Sequence, residues 1–249
     1  MLSEKSMRHP VSKFDRPLLP EPITYRVVFS KVGNLQFFSH LDLQRTWQRV
    51  LVRASIPMWY TQGFNPHSKI VFGIPLSVGT EGTHEMVDLR VDRAITPEEM
   101  RDQLNAELTD EMQVSEVYIP TTAFADIAYA VYTVTISDPG TVSVPAEAVE
   151  ALFAPGGDPI VMTKRTKSGD REIDILPLVR EIRAARDADG IMTVHAVLAA
   201  GGNASLSPEF LVGALREKLG MLGDTSHPDM CWYRILRTGF LRADGSEFR

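Results

Sequence analysis

The order of strand-like and helix-like segments in the first half of the chain is the feature that most constrains its fold. A β-branched and aromatic run over residues 23–30 predicts a strand. Ser39, with Asp42 three positions later, marks the capped start of a helix that the apolar spacing extends over residues 40–55. Two more strands, a second capped helix and a closing strand follow. The resulting order, β-α-β-β-α-β, is typical of a ferredoxin-like unit.

The second half repeats this order in pattern, although not in sequence identity. It contains a predicted hairpin over residues 160–175 and a predicted inserted helix over residues 177–186. We therefore predict the α+β class, with two tandem ferredoxin-like units and antiparallel sheets. The predicted segments are a flexible tail over residues 1–22, a first domain over 23–125 and a second domain over 126–249.

Composition excludes several classes of protein. The single cysteine, Cys231, excludes an internal disulfide, a thiolate zinc site and an iron–sulfur cluster held by this chain alone. No stretch approaches the roughly 18 apolar residues of a membrane span, and the polar start of the chain does not resemble a secretory signal. We therefore expect a cytoplasmic protein with no membrane partner, no metal and no cofactor.

Charge is unevenly distributed along the chain, although the net charge is only −6. Residues 22–80 carry six lysines and arginines against one acidic residue, Asp42, whereas residues 81–116 carry eleven acidic residues against three arginines. This split predicts one basic face and one acidic face. A chance difference between helix and strand surfaces is the alternative.

The sequence motifs of common catalytic sites are missing. The chain has no GxxxxGK[ST] phosphate loop, no GxGxxG after a strand, no HExxH and no CxxC. This favours a chain without catalysis of its own and leaves its activity an open question. His40 and His67 are the candidate catalytic residues of one alternative, a metal-independent ribonuclease. Convergence of His40, His67 and His84 on a metal, with Asp42 or Glu85, is another alternative, which the spacing does not require.

Several clusters of polar, cationic or stacking residues are candidates for nucleic-acid binding. The start of a helix is suited to binding a phosphate. A loop that carries an aromatic residue, amides and a lysine is suited to binding single-stranded RNA. A cationic hairpin is suited to binding in a nucleic-acid groove. The alternatives are helix capping, a connecting loop with Phe64 in the core, a solvated hairpin and a plain glycine turn. The candidate residues are Ser39, His40, Arg45, Arg49, Arg53, Gln62, Phe64, Asn65, His67, Lys69, Lys164, Arg165, Lys167, Gly201 and Gly202.

The combination of two motifs identifies a family. The segments SHLDL and QGFNPHSK, supported by KRTKSGDREIDI and by RTG at residues 237–239, resemble the radical SAM-associated, or radical SAM-linked, protein family, a bacterial domain of unknown function. The resemblance covers most of the chain. It implies a domain found alone or fused behind a radical SAM enzyme, with standalone members encoded beside a ribonuclease of the E/G type. The partner we expect, in trans, is therefore a radical SAM protein or such a ribonuclease.

Together these observations predict an accessory module that binds RNA. The chain would present a structured RNA, a tRNA or an rRNA, to a radical SAM modification enzyme or to an RNA-processing partner. The ribonuclease is one alternative. A protein–protein adaptor that docks through the acidic segment over residues 81–116 is the other.

Overall fold

A computed structural model of the chain describes residues 15–138, 144–166, 169–202, 204–223 and 230–249. Helices and mostly antiparallel strands alternate in this part of the chain, which confirms the predicted α+β class. The chain divides into two compact units. The first comprises the described residues up to Pro75 and His84–Thr121, and the second comprises Leu76–Thr83 and Thr122–Arg249. Among the described residues, no helix is both long and apolar enough to span a bilayer.

The first unit has one four-stranded sheet with helices in its connections. Its elements, in chain order, are β1 (Leu18–Lys31), α1 (His40–Arg53), β2 (Ile70–Phe72), β3 (Thr80–Arg93), α2 (Pro97–Glu107) and β4 (Val114–Tyr118). The strand order across the sheet is β2-β3-β1-β4, and β2 with β3 and β1 with β4 pair antiparallel. This element order is the one that the sequence pattern predicts.

The core of the first unit explains why α1 forms where the apolar spacing places it. The four buried side chains of α1 recur on one face of the helix; they are Leu43, Trp47, Val50 and Leu51. The Trp47 ring is fully buried and meets the ring of Phe29 in β1 edge to face, with 4.9 Å between the ring centroids. Burial of such an apolar face supplies most of the stability of a helix of this length.

The sheet begins earlier in the chain than the sequence predicts. β1 begins at Leu18, so residues 18–22 of the predicted flexible tail are part of a strand. The anchor is Arg16, a buried side chain that donates to the Glu99 carboxylate at 2.9 Å and to the Ala94 carbonyl at 3.1 Å. These contacts join residues far apart in the sequence, so no local pattern reveals them. Residues 1–14 of the predicted tail lie outside the described residues.

The second unit also has a mainly antiparallel sheet with helices in its connections. Its further elements are β5 (Tyr129–Ser137), α3 (Ala146–Leu152), β6 (Val161–Thr166), β7 (Gly169–Asp174), β8 (Val179–Arg186), β9 (Met192–Gly201), β10 (Ala204–Ser205), α4 (Pro208–Leu219) and β11 (Trp232–Leu241). The strands β8, β9, β5 and β11 lie side by side in this order with antiparallel pairing. β11 also pairs parallel with residues 80–82, the part of β3 that belongs to this unit.

The predicted inserted helix over residues 177–186 is wrong. This segment forms a short 3-10 turn at Leu176–Leu178 and then the strand β8, which pairs with β9 over most of its length. The segment VREIRAAR is rich in good helix formers, and its local propensity therefore favours a helix. Pairing with β9 overrides this preference, because strand formation depends mainly on the neighbouring strand.

Candidate nucleic-acid interface

The start of α1 is a capping box that uses its own side chains. Ser39 Oγ accepts a hydrogen bond from the Asp42 amide at 3.2 Å, and the Asp42 carboxylate accepts from Ser39 Oγ at 2.6 Å and from the Ser39 amide at 3.3 Å. These hydrogen bonds, with a smaller contribution from the charge of Arg45, lower the pKa of Asp42. The Asp42 carboxylate therefore lies where the helix would otherwise attract a phosphate, which favours the capping alternative for Ser39.

Ion pairs between the basic and the acidic segments account for much of the predicted charge split. Arg26 is buried, and its guanidinium contacts the Asp88 carboxylate at 2.8 Å. Arg53 contacts Glu107 of α2 at 2.7 Å, and Lys31 is only 1% exposed. The segment's cations that reach the surface are Arg45, Arg49, Arg53 and Lys69. The predicted basic face is therefore smaller than the charge count suggests.

The loop between α1 and β2 folds into a hairpin, which we call the Phe64 hairpin and define as residues 58–69. Its two arms are joined by hydrogen bonds from the Thr61 amide to the His67 carbonyl at 3.0 Å and from the Lys69 amide to the Trp59 carbonyl at 3.2 Å. Both arms also bond to the main chain of one residue of β3, Arg90. The Arg90 guanidinium lies 4.9 Å from the centre of the Trp59 ring. The base of the hairpin is therefore fixed on β3.

The tip of the Phe64 hairpin projects its side chains into solvent. Phe64 is fully exposed, at 109% of its reference area, so the alternative that placed it in the core is wrong. Gln62, Asn65 and Lys69 are also exposed. His67 is exposed as well, and its Nδ1 lies 3.1 Å from the Thr61 hydroxyl and 3.4 Å from the Asn65 carbonyl. The hairpin thus presents an aromatic ring beside two amides and a cation.

The structure gives His40 and His67 different surroundings. The ring of His40 meets Phe72 of β2 edge to face at 5.3 Å, whereas the ring of His67 contacts the Thr61 hydroxyl within the hairpin. No contact joins the two histidines in the described part of the chain. Among the described residues, no three histidine, cysteine, aspartate or glutamate side chains lie close enough together to hold a metal ion, so His40, His67 and His84 do not converge.

The strands β6 and β7 form a two-stranded ribbon, the basic ribbon, which pairs with no other strand in the described part of the chain. Its root is fixed by Met162, which is 6% exposed and approaches Gly213 of α4 so closely that a Cβ there would lie 3.0 Å from Met162 Cε. Lys164 lies opposite Arg171 in the register, and both side chains are exposed. Among the described residues neither forms an ion pair.

The other candidate residues of the basic ribbon differ in their neighbours. Arg165 lies opposite Asp170, so an acidic side chain is directly across the ribbon from this cation. Lys167 lies outside the described residues. Lys164 and Arg171, by contrast, have no acidic residue opposite them, so their side of the ribbon carries the uncompensated positive charge. These two like charges repel one another.

The glycines at residues 201 and 202 form the turn between β9 and β10. A Cβ at Gly201 would lie 3.1 Å from the Ile127 carbonyl oxygen, which explains the need for glycine in this close approach. β10 separates this turn from the first residue of α4, Pro208, so the glycines do not lead directly into a helix start. Gly201 and Gly202 instead line a cleft of about 660 Å³ within the second unit.

Two elements of the candidate interface had no signal in the sequence. Arg90, which holds the Phe64 hairpin through Trp59, lies in a strand more than twenty residues after the hairpin. Arg242 and Asp126, which line the cleft, are single polar residues next to strand ends. Polar residues at strand ends are a weak general indication of a site, and many such positions exist in any chain.

The described elements define a two-unit α+β protein whose candidate binding residues lie on exposed hairpins, a helix surface and turns. The chain belongs to the family of uncharacterized proteins conserved in bacteria called domain of unknown function 2344, whose family model matches residues 24–208. The match confirms the bacterial family of unknown function to which the motifs pointed. The association with radical SAM enzymes stays a prediction.

Comparisons with individual proteins add little. A search of curated proteins found no match. A crystal structure described as an unknown protein from Galdieria sulphuraria is similar over 87% of this chain and 99% of that chain, with 12% sequence identity and a TM-score of 0.24. A TM-score this low establishes no common fold.

Proposed function

We propose that this protein is an RNA-binding accessory module that presents a structured RNA, a tRNA or an rRNA, to a partner enzyme. The partner that the motif resemblance favours is a radical SAM modification enzyme, and the other is a ribonuclease of the E/G type. The observation that carries the proposal is the fully exposed ring of Phe64 at the tip of a hairpin whose base is fixed.

An exposed phenylalanine at the tip of an anchored hairpin is well suited to stack on a base. The ring has both faces open to solvent, and the hairpin limits the entropy lost when a ligand binds. Stacking of one base on an aromatic side chain contributes about 1–3 kcal/mol and tolerates any base. The neighbouring amides of Gln62 and Asn65 supply hydrogen bonds to base edges, and Lys69 supplies a phosphate contact. These are the contacts that single-stranded parts of a folded RNA require.

The basic ribbon supplies the phosphate contacts of this proposal. Lys164 and Arg171 face each other without an acidic partner, so a phosphate group between them would relieve their mutual repulsion. Phosphate contacts orient a nucleic acid, whereas base contacts select its sequence. The two hairpins therefore contribute two different parts of RNA recognition.

We further propose that each unit is a ferredoxin-like repeat, as the sequence pattern suggests. The side-by-side orders β2-β3-β1-β4 and β8-β9-β5-β11 support this, because in each unit a helix follows the first and the third of the four corresponding strands. In the second unit, the basic ribbon is then an insertion between α3 and β8.

The two alternative functions have weaker support. A ribonuclease acting through His40 or His67 needs one of these rings beside the bound phosphate, whereas the ring of His40 packs edge to face against Phe72 and the ring of His67 contacts the Thr61 hydroxyl. An adaptor acting through the acidic segment needs free carboxylates. Glu99, Glu107 and Glu81 of that segment each contact an arginine, at 2.5, 2.7 and 2.7 Å.

The proposal is tested by measuring the binding of fluorescently labelled RNAs to the purified full-length chain by anisotropy. The panel contains a tRNA, a stem-loop, a single strand and a DNA duplex, each at several salt concentrations. We expect saturable binding to the structured RNAs that weakens linearly on a logarithmic salt scale, with the DNA duplex bound less tightly. Absence of saturable RNA binding at low salt, with and without the partner enzyme, would contradict the proposal.

A further inference from the structure

The second unit contains a cleft that we call the Arg242 cleft. Its volume is about 660 Å³, within the range of about 300–1,000 Å³ that is usual for small-molecule sites. The start of β5, the end of β9 and the turn after β11 form its walls. The lining residues that matter for its chemistry are Asp126, Tyr129, Gly202, Arg242 and Asp244.

The wall formed by the turn after β11 is held in place by Arg180 of β8. Its guanidinium lies 4.7 Å from the centre of the Tyr129 ring and donates to the Ala243 carbonyl at 3.3 Å. Gly245, with a φ of +89°, permits this approach, because a Cβ there would lie 2.5 Å from Arg180 Nη2. The cleft is therefore supported by a specific contact between two of its walls.

Arg242 provides the cleft with a cation. Its Nε is buried without a hydrogen-bond partner, and the guanidinium forms no ion pair among the described residues. A buried donor on a charged group is costly to leave without an acceptor. Asp244, the nearest acid along the chain, accepts hydrogen bonds from the Ser246 hydroxyl at 2.7 Å and from the Ser246 amide at 2.8 Å, and these bonds, with a smaller contribution from the charge of Arg242, lower the pKa of Asp244. The charges of Arg242 and Asp244 therefore interact, but no carboxylate of the described residues lies within ion-pair distance of the guanidinium, and a bound anion would supply that contact.

The remaining lining groups restrict the anion to one with hydrogen-bond donors and a flat apolar part. One oxygen of Asp126 accepts from the Ala123 amide at 3.0 Å, and the carboxylate has acceptor capacity left for hydroxyl or amino groups. The ring of Tyr129 and the side chains of Ile127 and Leu178 provide apolar walls. The carboxylates of Asp126 and Asp244 disfavour a ligand with several negative charges, since like charges repel at short range.

We infer that the Arg242 cleft binds a single nucleotide unit, one base with its sugar and one phosphate. The phosphate contacts Arg242, the sugar hydroxyls or base amino group donate to Asp126, and the base lies against the apolar walls. This inference rests on the proposed function, and it assigns the cleft to one nucleotide of the bound RNA. A nucleoside triphosphate fits the charges of the cleft less well than a monophosphate does.

The inference is tested by NMR titration of the full chain with each of the four nucleoside 5′-monophosphates, with ATP and with inorganic phosphate. We expect saturable shifts of the amide signals at residues 126–129, 199–202 and 242–244, and tighter binding of AMP than of ATP. Arg242→Gln weakens nucleotide binding at least tenfold. Asp126→Asn weakens binding of the nucleotides but not of phosphate, whose only contact is with the cation.

Two further variants control for damage to the fold. Gly202→Val adds an apolar side chain to the lining of the cleft, and a Cβ at this position meets no atom within 4 Å, so the variant folds and binds nucleotides less tightly. Arg183→Gln removes an exposed arginine of β8 that pairs with Glu181 outside the cleft, and it leaves binding unchanged. If no monophosphate shifts these signals, or if Arg242→Gln leaves binding unchanged, the inference is wrong. In that case, RNA binding by the same samples would leave the proposed function standing. Absence of RNA binding by the wild-type chain would instead contradict both the proposed function and this inference.

Discussion

The Phe64 hairpin and the basic ribbon are both exposed two-armed projections, but the chain equips them for different contacts. The Phe64 hairpin is fixed to β3 through Arg90 and ends in an aromatic ring, with Lys69 as its only charged residue. The basic ribbon pairs with no third strand among the described residues and carries Lys164 opposite Arg171. The first arrangement favours contacts with bases, and the second favours contacts with phosphates.

This difference separates the two physical components of RNA binding. Stacking depends on apolar contact and changes little with salt, whereas phosphate contacts release counterions and weaken as salt rises. If the assignment is right, variants of the two hairpins differ in the salt dependence of binding as well as in affinity. The predictions below use this contrast, beginning with the largest expected effect.

Removal of the Phe64 ring has the largest expected effect. Phe64→Ala lowers RNA affinity by about 5- to 150-fold, the equivalent of one lost stacking contact of about 1–3 kcal/mol. Because the side chain is fully exposed, the free energy of unfolding does not change. Because stacking changes little with salt, we also expect the salt slope of binding to be unchanged. Anisotropy titrations at several salt concentrations measure both the affinity and this slope.

Two variants at the same position sharpen this test. Phe64→Trp preserves stacking and keeps most of the affinity, whereas Phe64→Leu keeps the apolar volume without a π face and loses most of it. Equal affinities of the Leu and Trp variants would show that Phe64 acts only as an apolar side chain.

Neutralising the basic ribbon has a smaller effect on affinity and a distinctive effect on salt dependence. The double variant Lys164→Gln with Arg171→Gln lowers the salt slope by about 0.7 for each phosphate contact removed from a single strand. It also raises the free energy of unfolding by about 0.2–1 kcal/mol, because two like charges no longer oppose one another. Titrations at different salt concentrations and urea denaturation measure the two effects.

A control for this variant is Arg183→Gln, which removes an exposed arginine of the same unit that pairs with Glu181. The control leaves the salt slope nearly unchanged. A double variant that loses affinity without any change in salt slope would place the ribbon outside the RNA contact.

Loosening the base of the Phe64 hairpin lowers RNA affinity less than removal of the Phe64 ring does. It also speeds amide hydrogen exchange in the hairpin, which Phe64→Ala does not. Arg90→Gln removes the cation from the Trp59 ring, a contact that contributes about 0.5–1 kcal/mol at an exposed site. We expect a several-fold loss of RNA affinity together with faster amide hydrogen exchange at residues 59–69. Unchanged exchange in this segment would mean that the Arg90 side chain does not hold the hairpin and that its main-chain hydrogen bonds suffice.

The smallest expected effect distinguishes two arginines on one surface of α1. Arg49 forms no ion pair among the described residues, whereas Arg53 contacts Glu107 at 2.7 Å. Arg49→Gln therefore lowers RNA affinity by about two- to threefold, as expected for a single exposed charge, and Arg53→Gln lowers it less. The reverse order would indicate that RNA displaces Glu107 from Arg53.

Local patterns in the sequence were sufficient to predict those structural elements that depend on residues close together in the chain. The capped starts of α1 and α2 follow from Ser39 with Asp42 and from Thr96 with Glu99, whose amide donates to the Thr96 hydroxyl at 3.1 Å. The buried face of α1 follows from apolar spacing alone. The ribbon follows from a turn between two extended runs.

Features that depend on distant residues were not predictable from local patterns. β8 carries helix-forming residues and becomes a strand only because β9 lies beside it. Arg26 and Asp88 counted toward opposite faces in the charge pattern, and the fold brings them together as a buried pair. The charge pattern therefore recorded internal complementarity as well as surface charge. The Arg242 cleft likewise exists only once β5, β9 and the turn after β11 have assembled.

The central claim is that this chain contacts a structured RNA through the Phe64 hairpin. Ultraviolet crosslinking in the native cells, followed by sequencing of the attached RNA and mass spectrometry of the attached peptide, tests it most directly. We expect a discrete site in tRNA or rRNA, a crosslinked peptide that includes residues 61–69, and loss of both signals in Phe64→Ala. Crosslinking at background level, or a discrete RNA site that Phe64→Ala leaves unchanged, would contradict the claim.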